Sequence, residues 1–315
     1  MFHDNQLAVV VPAYNEELLI GRVIDTLPDY VDHIVIVDDC SRDRTAEVVR
    51  EYARRDGRVV LISHEKNQGV GGAIASGYKW ARDNKVDVTV VMAGDAQMDP
   101  ADLPNIVRPV ATGEADYTKG NRLFHGEAWK VMPTYRYLGN SFLSLFTKIA
   151  SGYWHIADSQ TGYTAISLDA LYLLDLDCIY KRYGMPNDIL IRLNTLNMRV
   201  RDVPIRPVYN VGEKSGIRLR KVLFTISWLL VKGFFRRMWL KYVIEDFHPL
   251  VFFYMMGIVL CPLGLLFGSY LLFYRLFIGG VETTSALFAA FLYISGLQSL
   301  FFAMWFDMDY NKKLR

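Results

Sequence analysis

The sequence predicts an α/β domain built on a mainly parallel, doubly wound sheet and followed by a helical, membrane-associated part, and two patterns carry that prediction. Through the first 120 residues, apolar β-branched runs bounded by turn residues alternate with segments of helical period. Alternation of this kind builds a parallel sheet covered by helices. Towards the C-terminus, residues 249–274 and 283–306 carry no charged side chain, and each stretch exceeds the ~20 residues that a helix needs to cross a bilayer.

Strands are expected at about 7–12, 33–38, 58–63, 87–92 and 116–119, with helices at about 16–27, 43–55, 70–84 and 101–111. Further on, Pro133 to Gly152 has a helical pattern, Thr161 to Ser167 fits another strand, and Pro186 to Asn197 has the apolar spacing of a helix. From Arg218 to Tyr242 the bulky run VLFTISWLLV is flanked by basic residues, as in helices that lie in a membrane interface; a second core helix is the competing reading. The layout that follows is a soluble domain over 1–210, interfacial helices over 211–247, a first span at 248–278, a loop at 279–282, a second span at 283–306 and a tail at 307–315.

Of the 315 residues, 52% are hydrophobic, enough for a sizeable core. The net charge of +2 hides a basic stripe between Arg206 and Lys241, where Glu213 is the lone acid. The stripe favours anionic headgroups, although a solvated charged surface accounts for it equally well. By the positive-inside tendency, the large domain and the C-terminus face the cytoplasm. No basic segment leading into an apolar run and a cleavage site opens the chain, so no secretory signal is expected. The three cysteines, Cys40, Cys178 and Cys261, are odd in number and far apart, which suggests neither a disulfide framework nor a zinc site.

Three motifs fall where strands should end. Asp87 to Pro100, DVTVVMAGDAQMDP, closes an apolar run with Asp95 and Gln97. At i and i+2 of an extended segment these side chains point the same way and suit one hard cation, of the kind a diphosphate leaving group needs; turn formation is the plainer alternative. Pro12, Ala13, Tyr14, Asn15, Glu16 and Glu17 follow the first strand. Asn15 is expected to cap the next helix and the two acids to favour its positive end, while Tyr14 offers a ring face to a base or ribose. Asp38 and Asp39 end the second strand and suit base N–H groups or ribose hydroxyls, with Ser41 as a cap for the following helix. The cluster Gly69, Gly71 and Gly72 resembles a dinucleotide fingerprint only loosely, since it lacks the final glycine and does not follow the first strand. Close helix packing or a tight turn explains it better than nicotinamide binding.

Taken in order, PAYNEE, VDDCSRDRT, NQGVGGA, AGDAQMDP, KGNRL, DSQTGY and GEKSGIR resemble the inverting nucleotide-sugar glycosyltransferases that include dolichyl-phosphate mannose synthase and the polyprenyl-phosphate glycosyltransferases. The likeness runs from residue 7 to about 245, and the trailing spans are similar to the membrane-anchored members. It implies a GT-A-type, Rossmann-like domain that transfers a sugar from GDP-mannose, UDP-glucose or UDP-N-acetylglucosamine to dolichyl or undecaprenyl phosphate. It also implies a nucleotide-sugar site of Pro12, Ala13, Tyr14, Glu16, Asp38, Asp39, Asp95, Ala96, Gln97 and Lys214, with Mg²⁺ or Mn²⁺ held by Asp95 and Gln97. Arg122, Arg136 and Asn140 would receive the lipid phosphate, Asp158 matches the catalytic carboxylate, and Lys214 would lie on a loop that closes over the diphosphate. A homo-oligomer is compatible with the sequence; a nucleic-acid partner is not expected.

One departure stands out. Ala93 occupies the place of a first acid in a DxD motif, so the cation would depend on the substrate diphosphate for much of its binding. A lipid phosphate is largely ionised at neutral pH, so Asp158 is expected to orient arginines and stabilise positive charge on the sugar more than to remove a proton. His155 is expected to be a packed aromatic. Two other classes remain, a processive polysaccharide synthase and an inactive membrane-anchored nucleotide-binding protein. The first is disfavoured by the lack of a QxxRW-like sequence and of enough spans to enclose a pore.

Overall fold

The computed structural model describes Phe2 and residues 4–123, 134–206 and 219–315, with the side chains of 134–138, 140 and 219–223 outside that description. It divides into two units, Met1–Phe234 with Leu314–Arg315, and Phe235–Lys313.

The first unit runs β1 (Leu7–Ala13), α1 (Ile20–Thr26), β2 (His33–Asp38), α2 (Thr45–Ala53), β3 (Val59–Ser63), α3 (Val70–Asp83), β4 (Val88–Val91), α4 (Leu103–Ala111), β5 (Tyr117–Asn121), α5 (Thr134–Ser151), β6 (Thr164–Ser167), α6 (Leu168–Leu173), α7 (Met185–Thr195) and β7 (Val200–Pro204). It also holds most of α8 (Leu219–Trp239). The seven strands form one sheet in the order β3-β2-β1-β4-β6-β5-β7. Pairs β1–β2, β1–β4, β2–β3 and β5–β7 are parallel, whereas β6 runs antiparallel to both β4 and β5.

Alternation along the central strands sorts side chains to the two faces. Leu7, Val9 and Val11, with Ile34 and Ile36, pack under Ile20 and Ile24 of α1, Val49 of α2 and Leu103 and Ile106 of α4. On the opposite face Ala8, Val91, Tyr117 and Ile166 meet Ile74 and Tyr78 of α3 and Ile189, Leu190 and Leu193 of α7. Each fully buried aliphatic side chain here contributes about 1.5–3 kcal/mol, so the sheet is held from both sides.

Three elements differ from expectation, one of them the short helix α6, for which the sequence offered no helical pattern. Helix α1 starts at Ile20 and not at residue 16, because the backbone of residues 15–17 bonds to another loop. Strand β7 was not foreseen, since Arg201 and Asp202 interrupt the apolar pattern of VRDVP. The glycine cluster does serve close packing: a Cβ on Gly71 would lie 2.1 Å from the Tyr180 carbonyl oxygen, and one on Gly69, at φ +85°, 2.5 Å from that of Lys181. The cysteines are free, and His155 packs edge-on to Tyr153, with Nε2 2.7 Å from the Val200 carbonyl.

In the second unit, a π-helical segment (Leu240–Glu245) leads to α9 (Leu250–Phe277) and α10 (Thr283–Tyr310), both long and apolar enough to cross a membrane. They pack where glycines admit backbone contact: Cβ atoms on Gly264 and Gly296 would fall 2.5 Å from the amides of Tyr293 and Cys261, the small-residue contact typical of helices in lipid. Large apolar side chains such as Phe252, Leu266, Phe291 and Trp305 are exposed on them, which is unlike helices buried in a soluble core. Fully buried Arg237 pairs bidentately with Asp307, at 2.8 and 2.9 Å, and the Tyr242 hydroxyl donates to the same carboxylate at 2.6 Å. Lys241 donates to the Asn311 side chain at 2.9 Å.

Gly71→Ala is expected to destabilise the first unit by about 1–3 kcal/mol through overpacking against a backbone carbonyl that cannot withdraw. Gly57→Ala, with no atom within 4 Å of the added methyl, should leave the thermal midpoint unchanged; equal midpoints for both variants would remove this explanation of the cluster.

Candidate active site

Strands β1, β2 and β4 are parallel neighbours, so residues 12–17, the pair Asp38–Asp39 and the loop 93–98 leave the sheet at one edge. The chain order reverses between β1 and β4, and such a switch point opens the crevice where sheets of this kind bind ligands. Strand β5 also points to this edge, because it is antiparallel to β6, which is antiparallel to β4. The same reversal places the segment before β6, with Asp158, beside the exit of β5.

At this edge, PAYNEE is fastened to the loop after β2. Asn15, at φ 58°, donates its N–H to Ser41 Oγ at 2.9 Å, and its Oδ1 accepts from the Arg42 N–H at 2.8 Å. The Glu16 N–H donates to Thr45 Oγ1 at 2.8 Å and the Glu17 N–H to Asp43 Oδ2 at 3.1 Å. Two expectations are thereby corrected. Asn15 does not cap α1, whose cap position is Leu19, and Ser41 does not cap α2, where Asp43 accepts the Thr45 N–H at 3.0 Å. Tyr14 stays 43% exposed beside this clasp, with a ring face available to a ligand.

Asp39 is buried, and both its carboxylate oxygens are engaged. They accept the N–H groups of Gln68 at 2.8 Å and Gly69 at 2.7 Å at the start of α3, and Oδ1 also meets His64 Nδ1 at 2.8 Å. The Asp39 N–H bonds the Ala13 carbonyl at 2.9 Å, so this acid anchors loop 64–69 to the exit of β1. Asp38, also buried, accepts the Ser41 N–H at 3.2 Å.

The loop after β4 is not the extended segment expected. Ala96 has φ 55°, and Asp95 Oδ1 accepts the Gln97 N–H at 3.1 Å, so the i, i+2 argument for convergent side chains gives way to a turn closed by the aspartate. The neighbour of Asp95 comes from another element. A Cβ on Gly94 would stand 3.5 Å from Glu16 Cγ and 3.3 Å from the Pro12 carbonyl, so the loop lies against the β1 exit. Burial, with the charges of Asp95 and Asp43 adding to it, pushes the Glu16 carboxyl up to about 7. Hard oxygen donors crowded into mutual repulsion fit a divalent cation. Among the described residues no cluster of three or more acidic, His or Cys side chains forms a full ligand set, and remaining ligands would have to come from substrate or water.

At the same edge of the sheet, Arg122 follows β5 and grips Asp158 through Nε at 2.7 Å, Nη2 at 3.1 Å and its own N–H at 3.3 Å. Asp158 is fully buried, whereas the Arg122 side chain is 22% exposed. Burial alone would raise the Asp158 carboxyl, but the charge and hydrogen bonds of Arg122, helped by Lys119, outweigh it and hold the group below the ordinary carboxylate value. Lys119, fully buried, donates to the Thr161 carbonyl at 2.6 Å, and burial draws its ammonium down to about 8. Arg136 and Asn140 belong to α5, but their side chains lie outside the described residues, as does Lys214. Glu16 as a partner of Asp95, Lys119 in the arginine site and Asp202 beneath it were not read from the sequence. Lys119 stood in the motif KGNRL, and a lysine within an otherwise buried strand was the available signal.

A Rossmann-like sheet with acidic loops at its switch point and a buried Arg–Asp pair at the same edge fits the class of nucleotide-dependent transferases. Residues 8–174 match the model of glycosyl transferase family 2, and the chain belongs to that family: it is a glycosyltransferase. It is 32% identical over 251 residues to a UDP-N-acetylglucosamine–dolichyl-phosphate N-acetylglucosaminyltransferase of Methanococcus voltae, covering 76% of this chain and 97% of that protein. It is also 32% identical to an undecaprenyl-phosphate mannosyltransferase of Micrococcus luteus, over 71% of this chain and 93% of that one. The crystal structure of glucosyl-3-phosphoglycerate synthase from Mycobacterium tuberculosis with Mn²⁺, UDP and glucosyl-3-phosphoglycerate shares the fold, at TM-score 0.52 and 21% identity over 74% of this chain and 80% of that one.

The raised Glu16 carboxyl has a measurable consequence. Its ordinary value is 4.5 and its folded value about 7, so the folded state binds the proton more tightly. The resulting penalty is absent below pH 4.5, grows as pH rises to 7 and is constant above that. Glu16→Gln should therefore raise the thermal midpoint at pH 8 and leave it nearly unchanged at pH 4. Mn²⁺ with nucleoside diphosphate should narrow the pH 8 difference by stabilising the wild type; a variant equally stabilised at both pH values would contradict a Glu16 carboxyl raised by burial and its acidic neighbours.

Proposed function

We propose that the enzyme transfers a sugar from a nucleoside-diphosphate sugar to a polyprenyl phosphate, with inversion, at the cytoplasmic face of a membrane to which α9 and α10 anchor it. The observation that carries this reading is the bidentate Arg122–Asp158 pair at the sheet edge that also bears the donor crevice. A guanidinium fork suits a phosphate. The names of the relatives and the two apolar helices support a lipid as the carrier of that phosphate. The layout of an interfacial segment over 211–247 and spans at 248–278 and 283–306 belongs to the same proposal, as does the cytoplasmic orientation drawn from the basic residues before the first span.

In this reading Tyr14 stacks on the nucleoside, with Pro12, Ala13, Asp38 and Asp39 shaping the surrounding wall. Asp95, Gln97 and Glu16 provide the oxygen donors for Mg²⁺ or Mn²⁺, which when bound neutralises the departing diphosphate. Arg136, Asn140 and Lys214 are assigned to the phosphates. The acceptor phosphate oxygen attacks the anomeric carbon as the bond from that carbon to the diphosphate oxygen breaks, so the electron pair leaves with the diphosphate and the configuration inverts. The acceptor oxygen is already ionised. Asp158 therefore has little proton to remove; its buried charge holds Arg122 on the acceptor phosphate and lies near the positive charge that develops on the sugar.

The test is a panel of radiolabelled nucleotide sugars supplied to the full-length enzyme with polyprenyl phosphate. Release of nucleoside diphosphate only when the lipid phosphate is present is expected, and release to water or to a growing glycan alone would defeat the reading. Asp158→Asn should lower kcat about 100-fold or more, with no recovery as pH is raised; recovery at high pH would assign Asp158 the role of a base. Because the folded Asp158 carboxyl sits below its ordinary 3.8, its stabilising contribution is present above pH 3.8 and is lost as pH falls through the lower folded value.

A further inference from the structure

Arg122 and Asp158 come from segments 36 residues apart in sequence, so local chain geometry does not fix one against the other. Something must tie the two segments together. Asp202 on β7 stands in register with Lys119 of β5, and its Oδ2 accepts two hydrogen bonds, from the Asn121 side-chain amide at 2.7 Å and from the Ala157 backbone N–H at 3.2 Å. Asn121 immediately precedes Arg122 and Ala157 immediately precedes Asp158. The other end of the Asn121 side chain accepts the Leu123 N–H at 2.9 Å, so the amide braces Arg122 from both sides.

From this arrangement we infer that Asp202 is a positioning residue, whose single oxygen Oδ2 sets Arg122 and Asp158 in register to receive a phosphate. The inference rests on the acceptor role given to that pair above. A carboxylate is an expensive way merely to fill strand β7. Its Oδ1 is buried without a hydrogen-bond partner among the described residues, a cost that apolar side chains avoid. Burial, and then the nearby charge of Asp158, raises the Asp202 carboxyl to about 6, against the opposing hydrogen bonds and the charge of Lys119. At neutral pH it remains largely ionised, a second anion beside the buried Lys119.

Two substitutions separate a brace from a filler. Asp202→Asn keeps an oxygen that can accept both hydrogen bonds, whereas Asp202→Ala removes them. In the full-length enzyme, with lipid phosphate concentration varied, Asp202→Ala is expected to lose about 10- to 100-fold in kcat/KM for the acceptor, the scale of a misplacement near 1 Å. Its calorimetric affinity for nucleoside diphosphate should stay within about twofold of wild type, a change below 0.5 kcal/mol. Asp202→Asn should recover most of the loss. Losses in acceptor and donor binding of equal size, an Asp202→Asn variant as impaired as Asp202→Ala, or a well-folded Asp202→Ala with wild-type kinetics would each overturn the inference. A second readout needs no turnover: modification of Arg122 by phenylglyoxal, followed by mass spectrometry, should run several-fold faster in Asp202→Ala and at the wild-type rate in Asp202→Asn, and equal rates in all three would overturn it. If the wild type transfers to no polyprenyl phosphate, the acceptor assignment fails by itself, and the phenylglyoxal comparison still decides whether Asp202 holds the pair.

Discussion

Strand β6 runs against both of its neighbours, and the active site depends on that reversal. Had β6 been parallel, the segment leading into it would have reached the opposite edge of the sheet, far from the exit of β5. Instead Asp158 arrives beside Arg122, and the two make a bidentate pair with one partner fully buried. Removing a single member of such a pair strands a charge in a medium that solvates it poorly, typically at about 3–5 kcal/mol. The pair therefore ties its two segments firmly, with the carboxylate buried and the guanidinium partly exposed.

The loop after β1 is organised by a different force. PAYNEE and the loop after β2 hold each other through backbone N–H groups and short polar side chains, Asn15, Ser41, Asp43 and Thr45. These bonds stop helix α1 from starting early and leave Tyr14 projecting at the crevice. Glu16 is half-buried in the same loop, and its burial, with the charges of Asp95 and Asp43 adding to it, opposes ionisation, a strain that protonation relieves.

The second unit meets another version of the same problem. Arg237, Lys241 and Asp307 are fully buried at the ends of helices whose remaining surface is strongly apolar. They are tolerable there because each charge has a close partner, with Tyr242 and Asn311 completing the network. Ionisable groups beside a hydrocarbon environment persist only when satisfied in this manner. Along α9 and α10 themselves, glycines let the two backbones come into contact.

Much of this molecule was legible in one dimension. The first five strands and the helices between them followed from apolar runs and turn residues, and the ordered motifs from PAYNEE to DSQTGY pointed to the glycosyltransferase family that residues 8–174 match, because such properties are local to each segment. Local reasoning failed where the decisive partner was distant. Alternation along an extended strand does not describe Asp95 and Gln97, because left-handed Ala96 turns the chain between them, and the charge that Asp95 meets belongs to Glu16, in the loop after β1. Helix caps assigned from adjacent residues were overridden by a bond network between two loops. Asp202 was invisible because its meaning lies in joining Asn121 to Ala157, and β7 could not be read from VRDVP. The sequence by itself determined the fold class and the family, since those rest on periodicity and short motifs; tertiary structure alone decided which charges face one another, because that depends on strand direction and register between segments far apart in the chain.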